Sequence, residues 1–318
     1  MSQTKPPFPA LGEKMRVIKI SPRGYCYGVV DAVQLARVAA KDPNTPKPVY
    51  ILGQIVHNRH AVDSLNQYGI LSLDGNDRLA LLDQVAAGTV VFTAHGVSPL
   101  VKLHARARGL HIIDATCPEV THTHELVKKL VAQGYEIIYI GRRGHPEPEG
   151  VIGEAPEHVH LVENINDVYN LPLATDKIAV STQTTLSKWD TENITEAIRE
   201  KYPYALIHND ICSATTDRQE AAVAQSRDAD LVLVVGDTKS NNSNRLVQVV
   251  EELAKKRAHL IDNVTELQPG WFAGVRVVAL TSGSSTPSQI TREVADFLGT
   301  LIVGREVVVP TRSLVAAG

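Results

Sequence analysis

The sequence predicts an α/β protein assembled from three similar units. Three observations predict it. Short β-branched runs alternate with stretches of helical periodicity, a pattern that builds parallel sheets flanked by helices. The three cysteines, Cys26, Cys117 and Cys212, stand 91 and 95 residues apart, one per domain-sized unit. After each comes the same succession of helix, apolar run, polar loop, second apolar run and second polar loop.

Residues 1–14 read as a polar, proline-containing N-terminal extension. The first α/β domain, 15–116, holds Cys26, a helix over Val29 to Ala40, and the runs VYILGQIVHN and TVVFTAHGVS. The second, 117–210, opens at Cys117 with a helix over Pro118 to Gln133, Pro118 suiting a first turn and Gly134 a C-terminal cap. Its runs are EIIYIGRRGHPEPEG and KIAVSTQTTLS. The third, 211–300, has Cys212, a helix over Thr216 to Arg227 whose Thr216 and Gln219 fit a capping box, and the runs LVLVVGDTKSNNSN and VRVVALTSGSSTPS. Residues 301–318 form a C-terminal tail. From each cysteine to the glycine closing the first run the distances are 27, 24 and 24 residues, and from that glycine to the second loop 40, 40 and 45. Spacing repeats where residue identity does not.

A chain of 318 residues with 43% hydrophobic and 21% charged residues is of ordinary globular composition. The formal charge of −3 and the lack of a long basic stripe disfavour a nucleic-acid partner. Aliphatic stretches such as Leu231 to Val235 fall far short of the roughly 20 residues that cross a bilayer, and the opening segment lacks a signal-peptide core. A cytoplasmic protein without a membrane partner is expected.

Three cysteines cannot make a disulfide framework. Each directly precedes a predicted helix, whose positive end favours the thiolate, the form that binds metals. No C-x-x-C pair exists, so a compact zinc finger is excluded. Buried core thiols, zinc with His122 or His124 as fourth ligand, a redox thiol, and an iron–sulfur cluster with one open iron all remain consistent with the spacing.

Ligands in open parallel sheets collect beyond the carboxyl ends of strands, where all six polar loops are expected. There stand His57 with Asn58, His95 with Ser98, His145 with Glu147, the Thr182-Gln183-Thr184-Thr185 turn, Ser240 to Asn244, and Ser284 to Pro287. Hydroxyls, amides, histidines and helix N-termini can cradle phosphate with few fixed cations. Neither common nucleotide-binding glycine motif is present. Singly, each such residue reads equally well as a turn or a structural histidine; together they suggest a small phosphorylated ligand. Glu147, between Pro146 and Pro148 in a stiff loop, suits a proton donor or relay.

In order along the chain, SPRGYCYGV, HNRHAVDSL, TAHGVS, DATCP, GHPEPEG, TQTT, DICSATTDRQEA, SNNSNRL and TSGSSTPS resemble the 4-hydroxy-3-methylbut-2-enyl diphosphate reductase family, LytB/IspH, from about Arg16 to Pro310. The resemblance implies three α/β domains related by pseudo-threefold symmetry, with parallel sheets around a central 4Fe–4S cluster. Cys26, Cys117 and Cys212 would be its ligands, one apical iron left open for the substrate C4 oxygen, with a 3Fe–4S form after air exposure. It implies the last step of the methylerythritol phosphate pathway of isoprenoid biosynthesis: reductive dehydroxylation of an allylic diphosphate to isopentenyl and dimethylallyl diphosphate. Electrons would come from ferredoxin or flavodoxin with its reductase. Glu147 matches the proton-delivering carboxylate and Thr184 the hydroxyl orienting the substrate alcohol. His57, His95, His145, Ser240, Asn242 and Ser285 match diphosphate contacts, with Asn241 adjoining. Protonated histidines would make binding fall as pH rises. Two departures stand out: Tyr27 where many relatives have Ala, expected to affect packing near the cluster, and Asn241 where Ser is common. A cluster-dependent dehydratase without net electron transfer and a zinc-stabilised phosphate-binding protein are the competing readings.

Overall fold

A computed structural model of the chain describes residues 12–75 and 77–313. Most of the expected N-terminal extension and the last five residues of the expected tail lie outside the described residues. Twelve short strands are present among those described: β1 Arg16–Lys19, β2 Val49–Leu52, β3 Ile70–Leu73, β4 Thr89–Phe92, β5 His111–Asp114, β6 Glu136–Ile140, β7 Val159–Val162, β8 Ile178–Thr182, β9 Leu206–Ile207, β10 Leu231–Val235, β11 Ala258–Ile261 and β12 Val277–Ser282. They form three four-stranded sheets in which every pairing between strands is parallel.

The strand orders are β3-β2-β4-β5, β7-β6-β8-β9 and β11-β10-β12-β1. Written this way they are one topology repeated three times. In each, the strand that opens the unit lies between the next two, and a fourth strand joins the far edge. The third sheet obtains that edge strand from the other end of the chain, Arg16 to Lys19 pairing with Val277 to Leu280. The segment placed in the first domain on sequence grounds is therefore an edge of the third sheet. Each of the strands β5, β9 and β1 leads directly to a cysteine, so the three cysteines occupy one equivalent station.

By contacts the chain divides into two compact units, one of Cys26–Thr216 with two sheets and one of the segments before Cys26 and after Thr216 with the third. In the second unit, alternate residues of β10 supply opposite faces. Leu231, Leu233 and Val235 pack with Ile290, Val294 and Leu298, while Val232 and Val234 pack with Leu246 and Val250. In β6, Ile138 and Ile140 face Val180 and Ile198, and Ile137 and Tyr139 face Val127 and Val151. A sheet covered on both sides needs such fully apolar central strands, each buried Val, Leu or Ile contributing about 1.5–3 kcal/mol. The first part of the tail is no appendage, since Leu301 and Val307 pack into the core beneath β1 and β12.

Helices begin where predicted, within a few residues: Tyr27–Lys41, Pro118–Ala132 and Ser213–Gln225. Pro118 is at the first helical position, and Gly134 takes φ +85° just beyond the end. The capping box at Thr216 is not formed. The helix starts at Ser213, the N–H groups of Thr215 and Thr216 donate to the Cys212 carbonyl, and Gln219 is buried.

Candidate active site

All six polar loops sit at carboxyl ends of strands, and most run straight into a helix. Several loop residues earn their place as helix caps: Asn58 accepts from the Ala61 N–H, Ser98 from Val101, and Ser187 from Trp189. Asn58 and Ser98 thus have structural work that explains them without a ligand.

The Cys26–Thr216 unit brings together all three cysteines. Cys26 and Cys117 are N-cap residues, and Cys212 immediately precedes Ser213–Gln225. The Cys117 sulfur accepts from the N–H groups of Glu119 and Val120. Burial nevertheless pushes the Cys117 thiol up to about 11, and charge on Cys26 and Cys212 pushes it further the same way. Cys212 is raised for the same reasons, burial first, despite its contact with the Thr215 hydroxyl at 3.2 Å. Two buried thiols raised in this way, Cys117 and Cys212, are the opposite of a nucleophilic or redox-active cysteine, which needs a depressed pKa. A bound cationic metal group removes that repulsion, so the donor set fits metal ligation.

Gly28 makes the convergence sterically workable. A Cβ there would lie 2.5 Å from the Cys117 sulfur, so the helix that follows Cys26 can approach Cys117 only through glycine. The zinc alternative fares worse. A single tetrahedral zinc gathers its sulfurs within about 3.8 Å of one another. Among the described residues the one group that gathers its donor atoms within 4.8 Å is His57, His95 and His145, not the cysteines. His124, offered by the sequence as a fourth ligand, is buried with its Nδ1 2.6 Å from Glu154.

The three strand-end histidines do meet. Ring centroids are 4.3 Å apart for His57 and His95, 5.1 Å for His57 and His145, and 5.4 Å for His95 and His145. Burial, then mutual repulsion and the Arg78 charge, hold His95 well below the usual imidazole range. His145 falls to about 3, again by burial first, then His57, Arg142 and Arg78. Both rings are therefore held neutral near neutral pH. His145 Nδ1 accepts from the Glu147 N–H at 3.1 Å, which puts the ring proton of neutral His145 on Nε2. That tautomer is a hydrogen-bond donor to an anion rather than a lone pair for a metal.

Glu147 is 1% exposed, on the first turn of the helix Pro146–Ile152 rather than in an extended loop. Burial raises its carboxyl from 4.5 to about 7, with Asp210 adding to the rise and Thr184 opposing it. The Thr184 N–H donates to Oε1 at 2.7 Å, and the Thr184 side chain bonds the same carboxyl. Asp210, which opens the DICSATTDRQEA motif but has no role assigned to it there, accepts from the Ser181 hydroxyl at 2.7 Å. Arg78 was missed in the same way. Its guanidinium fills the space beside Gly53, where a Cβ would lie 2.0 Å from Nη1, and its charge reaches His95 and His145.

In the other unit, Ser240 caps the helix Asn241–Val249 and accepts from the Ser243 N–H at 3.3 Å and its hydroxyl at 3.1 Å. The Ser285 hydroxyl is 3.5 Å away. Asn242 accepts from the Ser284 N–H at 2.9 Å, and its buried side-chain NH2 has no partner. A Cβ at Gly236 or Gly283 would lie 2.2 or 2.0 Å from the Ser243 hydroxyl, so two glycines allow the cluster to close. Asn241 is at the first helical position and half-buried.

The LytB protein family matches residues 17–299. A 4-hydroxy-3-methylbut-2-enyl diphosphate reductase of Symbiobacterium thermophilum is 59% identical over 285 residues, 89% of this chain and 97% of the relative. That of Halalkalibacterium halodurans is 57% identical over 284 residues, 89% of this chain and 90% of its own. Among solved structures, the E-1-hydroxy-2-methyl-but-2-enyl-4-diphosphate reductase of Plasmodium falciparum superposes with a TM-score of 0.83 at 33% identity, covering 95% of this chain and 96% of that one. A second, described as the terminal enzyme of the non-mevalonate pathway, gives 0.65 at 31% identity over 89% and 98% of the two chains.

Proposed function

The chain belongs to the LytB family, and we propose that its three cysteines, Cys26, Cys117 and Cys212, are the only protein ligands of one 4Fe–4S cluster. The chain is an oxidoreductase that carries an iron–sulfur cofactor. It converts 4-hydroxy-3-methylbut-2-enyl diphosphate to isopentenyl and dimethylallyl diphosphate, the last step of the non-mevalonate route, taking up two electrons and two protons and releasing water. The observation that carries the ligand assignment is the cysteine pocket itself, where thiols from three equivalent strand ends repel one another and Gly28 leaves room for the Cys117 sulfur. Held by the three cysteines, the cluster would supply electrons and one Lewis-acidic iron that no protein residue ligates.

The chain's own residues do the rest. Glu147, whose carboxyl is raised to about 7 and so is still partly protonated at neutral pH, delivers a proton to the departing oxygen. Thr184 fixes the carboxyl through its N–H and orients the substrate alcohol through its hydroxyl. His57, His95 and His145 donate N–H bonds to the diphosphate, and Ser240, Asn241, Asn242 and Ser285 supply uncharged donors to it. A bound dianion favours protonation of the imidazoles and so reverses their depressed state. Ferredoxin or flavodoxin with its reductase provides the electrons. Among the described residues, no helix is long and apolar enough to cross a membrane.

The deciding experiment is iron and acid-labile sulfide analysis of anaerobically purified protein, with electron paramagnetic resonance spectra before and after substrate. Four irons and four sulfides per chain, with a spectrum that changes on substrate addition, are expected. Zinc without sulfide would overturn the cluster.

A further inference from the structure

Tyr27 has no part in the chemistry above, and the family resemblance assigns it none. Its surroundings do. Tyr27 is the first residue of the helix that Cys26 caps, and Glu119 is the second residue of the helix that Cys117 caps. The Tyr27 hydroxyl donates to Glu119 Oε1. The bond thus ties together the first turns of two 15-residue helices, each begun by a cysteine. Glu119 also gives its backbone N–H to the Cys117 sulfur, so its carboxylate stands on the same first turn as a ligand sulfur. The phenol in turn feels charge on both Cys117 and Cys212. Tyr27 is 45% exposed.

We propose that Tyr27 and Glu119 form a potential-setting clasp over the cysteine pocket, the phenol drawing off part of the charge that the Glu119 carboxylate imposes on the iron–sulfur group. The inference rests on the cluster assignment, which iron and sulfide analysis of the parent protein tests separately. A negative charge near a redox centre disfavours the arrival of an electron and lowers its potential. A hydrogen bond donated to that carboxylate spreads its charge and weakens the effect. The bond also restrains two ligand-bearing helix ends against each other, which slows loss of iron.

Three variants of the anaerobic holoenzyme separate this role from a structural one: Tyr27→Phe, Glu119→Gln and Tyr27→Ala. Tyr27→Phe keeps the ring but frees the carboxylate, and the cluster potential is expected to shift to more negative values. Glu119→Gln removes the charge, and the potential is expected to shift to more positive values. General loosening of the pocket would move both in the same direction, so shifts of one sign, or no shift in either, would overturn the proposal. Cluster absorption should bleach several-fold faster in air in Tyr27→Ala than in the parent. Bleaching at the parent rate would remove the covering role. Iron and sulfide contents equal to the parent's at the start of each measurement show that the compared proteins are fully loaded.

Discussion

The loops after β2, β4, β6 and β8 present imidazoles, a carboxyl and a threonine, whereas those after β10 and β12 present hydroxyls and amides. Both sets stand at the same topological station of one repeated sheet. In the Cys26–Thr216 unit, burial has retuned the groups: His95 and His145 down, Glu147, Cys117 and Cys212 up. In the other unit, Ser240, Asn242 and Ser285 have no proton to gain or lose near neutrality. On the function proposed above, one repeat would provide two services, proton chemistry from the titratable loops and pH-independent recognition from the neutral ones. The comparison is useful because each half is expected to fail differently when perturbed.

The largest effects should come from the sulfurs. Cys117→Ser is expected to abolish cluster retention and turnover, because a serine hydroxyl is a poor iron ligand and a three-ligand site has none to spare. Iron content of the anaerobic variant checks this, and a full complement of iron would remove Cys117 from the ligand set. Gly28→Ala should produce a milder form of the same defect, since its methyl would have to displace the Cys117 sulfur from 2.5 Å. Gly283→Ala is the control in the other unit, crowding the Ser243 hydroxyl rather than a sulfur. It should leave iron content untouched while weakening substrate binding.

Next in size is Glu147→Gln. Loss of the proton donor should lower kcat by about 10²- to 10⁴-fold with the cluster retained. In the parent, turnover should fall as pH rises through about 7, where the carboxyl loses its proton, and that limb should vanish in the variant. The stability sign runs the same way. The folded-state pKa is raised above its unfolded value, so the contribution is complete below about 4.5 and is lost as pH rises to about 7. Glutamine avoids that cost, so the variant should unfold at a higher temperature than the parent at pH 8 while being far less active. Equal melting temperatures there would show that Glu147 is less desolvated than its burial indicates.

How far the sequence carried the reading depends on range. The central strands β2, β6 and β10 are largely apolar runs that each end on a glycine, and they are visible at once. The cysteine spacing announced the threefold repeat. The role of β1 was invisible because its partner lies about 260 residues away and parallel pairing leaves no local mark. Thr216 and Gln219 mimicked a cap because the pattern recurs inside helices, and only the Cys212 carbonyl bonds show where the helix starts. Gly28, Arg78 and Asp210 were missed for a common reason. Each acts through space on a residue distant in sequence, Cys117, His95 and Glu147 respectively.

The neutral unit provides the smallest and cleanest test. Asn242→Ala removes the acceptor of the Ser284 N–H and a buried donor that has no protein partner, and KM should rise about 10-fold, equivalent to about 1.4 kcal/mol. Ser285→Ala removes a hydroxyl 3.5 Å from that of Ser240, and its KM should rise a few-fold. Neither variant should alter kcat or move the limb near pH 7, because an amide and a hydroxyl bind the diphosphate without exchanging protons with it. A displaced limb in either variant would mean that the two sets of loops share a proton network. The division of labour between titratable and neutral strand ends would then have to be abandoned.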